Sequence, residues 1–271
     1  MLKWFTRTAA AGALAAVSVG FGAPAHAADS MVSVLHGVPG ATVDVYANGE
    51  ALLTDFKPGT LTEPVALPEG SYDLKVVAAG DGPDGDAVIE ANGVAVPGGA
   101  NITVVAHLAE DGTPTLTPFV NDVSGIEAGN ARLTVRHTAA APAVDVRAGG
   151  EPVFTDLTNP NEASADIPAG TVSADVVLAG TEDVAIKPAD LDLAEGVSTI
   201  VYAWGSAEDG NLDLAVQTID GMESAPGGVP GGTGGQAADS GLPLGLMALG
   251  AVGAAGVALL LIRRPARSRI G

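Results

Sequence analysis

Apolar and polar positions alternate with a period of two through two long stretches of this chain, and nowhere with the period of a helix face. Thr42-Val43-Asp44-Val45-Tyr46 alternates and runs into Asn48-Gly49, a pair suited to a two-residue hairpin turn because both positions need positive φ. Tyr72 to Val77 alternates again. Ile102 to Ala106 and Thr115 to Phe119 form a further pair joined near Asp111-Gly112. Turn residues return about every eight to twelve positions, the spacing of a sandwich of short strands.

The pattern occurs twice. Val43 to Asp55 returns as Val144 to Asp156, with eight of thirteen positions identical. His36 corresponds to His137, Pro68 and Gly70 to Pro168 and Gly170, and Ala109-Glu110-Asp111-Gly112 to Ala207-Glu208-Asp209-Gly210. A register held over so long a stretch means duplication of a whole domain rather than a short solenoid unit. The expected fold is mainly β: two tandem antiparallel β-sandwich domains, immunoglobulin-like or prealbumin-like, of about seven strands each. They occupy residues 31–125 and 130–222.

Different patterns flank the repeats. Lys3 and Arg7 precede an Ala-rich apolar run, and Ala25-His26-Ala27 is a small-x-small cleavage site, so residues 1–27 read as a signal peptide. Residues 223–241 form a Gly/Pro-rich linker. Leu242 to Ile262 carries no charge over 21 residues, enough for one transmembrane helix plus no more. The tail 263–271 holds four arginines, which predicts a cytoplasmic end and leaves the bulk of the chain extracellular. Leu242-Pro243-Leu244-Gly245 lacks the Thr of a sortase motif, so retention by the helix is expected.

Charge and cysteine narrow the functions. All 32 Asp and Glu lie between Asp29 and Asp239, opposed there by six cations, which leaves −26. Such a surface repels phosphate backbones and argues against nucleic-acid binding. The chain has no cysteine, which excludes disulfides, thiolate chemistry and sulfur metal sites.

Three groups of residues invite a chemical reading. His36 with Asp44, and His137 with Asp145, could act as bases or ligands, but no nucleophile elbow accompanies them. Their repetition points to strand-end ties instead. Asp81-Gly82-Pro83-Asp84-Gly85-Asp86 is the densest acidic loop, with Thr181-Glu182-Asp183 at the corresponding place, yet the spacing fails the calcium-loop pattern. No metal or cofactor is assigned. Tyr202 and Trp204, two apart on a strand and with Trp204 matching His107, are the candidate ligand contacts. They would form either a small carbohydrate platform or core or inter-domain packing.

Val34 to Gly49, Leu67-Pro68-Glu69-Gly70-Ser71-Tyr72 and Gly99 to Val105 resemble the domain of unknown function 4397 family. The second block is similar but more divergent, with Gly149-Gly150 where the usual pair is Asn-Gly. The resemblance implies tandem β-sandwiches in a secreted or surface-anchored bacterial protein, and it implies no activity. The layout looks like that of an actinobacterial surface protein. The expected function is therefore non-enzymatic: display of two sandwiches at the cell membrane for binding or structural contact. The partners would be cell-wall polymer or an extracellular protein. An accessory subunit of an envelope enzyme and an acidic cation-binding protein are the alternatives.

Overall fold

In the computed structural model, which describes residues 28–223, sixteen strands follow one another with no helix between them. The first repeat contains β1 (Ser30–His36), β2 (Val43–Ala47), β3 (Glu50–Phe56), β4 (Val65–Leu67), β5 (Gly70–Ala78), β6 (Ala87–Val96), β7 (Asn101–Leu108) and β8 (Pro114–Val120). The second contains β9 (Asn130–Ala140), β10 (Val144–Ala148), β11 (Glu151–Leu157), β12 (Glu162–Pro168), β13 (Gly170–Leu178), β14 (Val184–Leu193), β15 (Ser198–Ser206) and β16 (Asp213–Ile219). They form four sheets of four strands, β3-β2-β5-β6 and β4-β1-β7-β8, then β12-β9-β15-β16 and β11-β10-β13-β14.

Two features differ from the sequence expectation. Each repeat has eight strands rather than about seven. The sheets are also mixed, because β1 pairs parallel with β7 and β9 pairs parallel with β15. Alternation reports which side chains share a face, but carries no information on the direction of the neighbouring strand. The expected signal peptide, transmembrane helix and basic tail, and nearly all of the expected linker, lie outside the described residues. Among the described residues no helix is long and apolar enough to cross a membrane.

The hairpin chemistry is the same in both copies. Asn48 and Gly49 have φ of 51° and 83°, and Gly149 and Gly150 have 60° and 86°. Replacing Asn by Gly therefore keeps the turn, since Gly reaches positive φ without steric cost. It removes one bond, because Asn48 Oδ1 accepts the Asp73 N–H at 2.9 Å.

Next to each hairpin the register shifts, and a non-glycine residue is held at positive φ: Asp55 in β3 and Asp156 in β11, both at 53°. The carboxylates of Asp44 and Asp145 stabilise these bulges. Asp44 accepts the N–H of Asp55 at 2.9 Å and of Gly80 at 3.0 Å. Asp145 accepts those of Asp156 and Gly180, both at 2.9 Å. These bonds pull both carboxyls below the ordinary aspartate range, the Gly80 and Gly180 N–H groups first.

Each repeat encloses its own core. Val34, Val45, Phe56, Val76 and Ala106 meet inside the first, and Leu133, Val146, Leu157, Leu193 and Val201 inside the second. Both repeats belong to one compact unit. Within it a third apolar cluster joins them: Leu35, Val105 and Phe119 of the first repeat pack on Ile200, Tyr202, Trp204 and Ala215 of the second. The sheets β4-β1-β7-β8 and β12-β9-β15-β16 thus lie face to face, and the repeats form four stacked layers. The connection is drawn in as well, since Ile126 is fully buried and its N–H donates to the Met222 carbonyl.

Candidate functional site

The seam between the repeats holds most of the polar residues that the fold buries. On β9, Leu133 and Val135 point into the core of the second repeat, so Arg132, Thr134, Arg136 and Thr138 share the opposite face. All four are buried. Arg136 is the largest of them and is 1% exposed. Its guanidinium lies 4.4 Å from the Phe119 ring centroid and 5.3 Å from that of Tyr202. Its Nε donates to Glu162 at 2.7 Å and its Nη1 to the Tyr202 hydroxyl at 2.7 Å. A carboxylate, an aromatic face and a hydroxyl together compensate a cation that would otherwise be costly to bury.

The chain of bonds continues across the seam. Tyr202 OH donates to Gln217 Oε1 at 2.6 Å, and Thr103 Oγ1 of the first repeat donates to the same oxygen at 2.9 Å. Asn121 Nδ2 donates to Thr103 Oγ1 at 3.1 Å and to Asn101 Oδ1 at 2.6 Å. A second crossing lies at the far end, where Asn159 Nδ2 reaches the Leu108 carbonyl of the first repeat at 2.8 Å. Burial raises the Tyr202 hydroxyl above the usual phenol value, so it stays protonated and can donate.

Tyr202 is fully buried and Trp204 is 8% exposed. Trp204 packs over Gly59, where a Cβ would lie 2.9 Å from the indole, and over Gly37, where a Cβ would lie 3.2 Å from the Trp204 Cβ. Neither ring offers a free face to a sugar. Of the uses open to this pair in the sequence, the geometry fits packing between the repeats.

The three histidines among the described residues are enclosed. His36 Nε2 bonds the Ala41 carbonyl at 2.8 Å, and His137 Nε2 bonds that of Pro142 at 3.0 Å. His107 Nδ1 donates to the Leu108 carbonyl, and its Nε2 lies 2.8 Å from the Thr117 hydroxyl. Burial lowers all three below the usual imidazole value. The residues of Asp81 to Asp86 form an exposed turn whose Pro83 carbonyl accepts Lys75 Nζ at 2.8 Å. Among the described residues no three His, Cys, Asp or Glu side chains converge as metal ligands would.

The seam is filled on one side and open on the other. In the second repeat β12 pairs with β9 over seven positions, from Glu162 opposite Arg136 to Pro168 opposite Asn130. In the first repeat β4 pairs with β1 over only three, from Val65 to Leu67. Pro64 has no N–H to give and interrupts the ladder, which resumes where Leu61 bridges Leu35 and the Thr62 N–H donates to the Val34 carbonyl. The result is a groove of about 580 Å³ between residues 61–64 and β16. Ser33, Asn101 and Gln217 lie along it, with Glu63 and Asp220 among its other walls. The spaces inside the two apolar cores are only about 30 and 20 Å³, near the size of one water.

Sequence reasoning singled out Tyr202 and Trp204 but missed Arg136, Thr103, Gln217, Glu63 and Ser33. One signal was available for Arg136. Three of the six cations between the chain ends are Arg132, Arg136 and Arg147, and all three fall on strands of one repeat. In so acidic a chain that placement suggests internal ion pairs, and each is paired here.

Comparison with known proteins gives a family match over part of the chain and no activity. Residues 30–147 match the family model described as "Domain of unknown function (DUF4397)", which spans the first repeat and ends within β10. No curated protein matches the chain. A solved structure described as a candidate cell adhesion protein from Bacteroides ovatus ATCC 8483 aligns over 73% of this chain and 99% of its own, at 12% identity and a TM-score of 0.24. That score is too low to support any argument.

Proposed function

Taking the match of residues 30–147 to that family as the premise, we propose that the chain is a non-enzymatic surface protein. It displays its two-repeat unit outside the membrane and binds a partner along the seam. The observation that carries this reading is the one-sided groove. It is large enough for a ligand segment, and polar side chains line it. The signal-like N-terminus and the apolar C-terminal stretch with its arginine tail support secretion and anchoring. The acidity of the intervening chain supports solubility in an external medium.

Protease treatment of intact source cells tests the display. The expected result is loss of the full-length chain and release of a fragment near residues 28–223, with cytoplasmic markers untouched. A chain cleaved only after lysis would overturn the reading.

A further inference from the structure

The groove itself indicates the chemistry of its occupant. Three observations bear on it. The first is the state of its floor. Ser33 is 2% exposed and Gln217 8%, so both are more than nine-tenths buried, and both face the groove. Gln217 Oε1 is taken by Thr103 and Tyr202, while its amide nitrogen and the Ser33 hydroxyl bond to no described residue. In the second repeat the position equivalent to Ser33 is Thr134, whose hydroxyl bonds Ser164 of β12 at 2.9 Å. In the first repeat the regular β1–β4 pairing stops at Val65, and Ser33 has no such partner. Both groups open onto the groove, where the polar groups of a ligand can reach them.

The second observation is the rim. Glu63 and Asp220 stand at the groove with no cation beside them in it, and neither is ion-paired among the described residues. The third is the wall. β16 is an edge strand, and its outer backbone groups have no strand partner. Many edge strands are blunted by Pro or Lys, and β8 carries Pro114 and Pro118, but β16 has neither residue. The stretch Val216–Asp220 borders the groove along about 16 Å at the usual strand rise. No aromatic ring lines the groove, which disfavours a pyranose platform.

We infer that the groove takes an extended, lysine- or arginine-bearing peptide segment of an extracellular protein, added as a strand to the free edge of β16. Backbone pairing with β16 supplies the attraction common to all sequences. Ser33 and the Gln217 amide hydrogen-bond the segment's polar groups. Glu63 and Asp220 select its basic side chains. The inference rests on the proposed display, but its test does not.

The full chain in detergent is titrated with a fluorescent hexapeptide of alternating valine and lysine. A valine–glutamate peptide and an alternately N-methylated valine–lysine peptide serve as comparisons. The valine–lysine peptide should bind saturably and at least tenfold more tightly than either of the others. The double variant Glu63→Gln, Asp220→Asn, both at exposed positions, should lose at least fivefold of that affinity. Equal binding of all three peptides, unchanged binding by the variant, or no saturable binding would overturn the inference. So would tighter binding of soluble wall saccharide with displacement of the peptide. In each of these cases the surface-cleavage result still decides separately whether the chain is displayed.

Discussion

The two ends of each repeat's inner architecture have had opposite fates since the duplication. At the hairpins the copies agree: Asp44 and Asp145 hold the same pair of N–H groups, beside residues at the same φ of 53°. At the seam they differ. The parallel registers place Leu35 opposite Val105 in one sheet and Arg136 opposite Tyr202 in the other, at equivalent positions. In the same way His107 corresponds to Trp204, and Phe119 to Gln217. What each domain needs to fold alone is shared, and what the domains need to recognise each other is complementary. Two beads on a string would have no reason to diverge at those positions. The seam therefore makes the pair a single body with one open side.

The largest effect should come at the seam. Trp204→Ala empties the space over Gly37 and Gly59 and should cost about 4 kcal/mol in urea unfolding. A loss below about 1 kcal/mol would mean that the seam contributes little.

The clasps should give smaller and equal losses. Asp44→Ala and Asp145→Ala each orphan two backbone N–H groups, and each should cost about 1 to 2 kcal/mol, within about 0.5 kcal/mol of one another. A clear inequality would show that matching geometry hides different energetics.

Acid should weaken both regions in order. The buried His36, His107 and His137 have folded values below the ordinary 6.5, so the unfolded chain takes up protons first. Their contribution is complete above about pH 6.5 and falls as pH drops through that value toward the folded ones. Asp44 and Asp145 lie below 3.8 when folded, so their contribution is complete above that value and is lost as pH falls further. Melting temperature followed from pH 8 to pH 3 should decline in two stages. A Tm that rises between pH 7 and 5 would contradict the histidine assignment.

The smallest effect is at the turn where the copies differ. Asn48→Gly should lose about 0.5 kcal/mol with the bond to the Asp73 N–H, and Gly149→Asn should gain a similar amount, because Asn tolerates positive φ. Equal melting curves for the two variants and the parent chain would remove that bond from the account.

The strands, the turns and the repeat were legible because each is a local signal. Asn48-Gly49 encodes its own φ values, and the returning Val-Asp-Val places the clasp in both copies. The seam was not legible, and β9 shows why. Leu133 and Val135 alternate with Arg132, Thr134 and Arg136, which reads as a strand with one face in water. That face is instead buried against the other repeat, where Phe119 and Asp122, with Glu162 of the neighbouring strand β12, compensate its charges. Alternation distinguishes the two faces of a strand but does not name what covers a polar one. The groove was hidden for a related reason, since it depends on the β1 ladder being interrupted at Pro64 where β12 pairs continuously with β9, and that difference has meaning only once the two sheets are stacked. Tyr202 and Trp204 drew notice for the right property, large side chains on a shared face, and the stacking decides their use.

Differential scanning calorimetry of residues 28–223 tests the central claim most directly, because every described sheet closes within that span. If the seam joins the repeats into one body, they should melt in a single transition whose calorimetric and van't Hoff enthalpies agree. Two separate transitions, each matching one repeat, would contradict it.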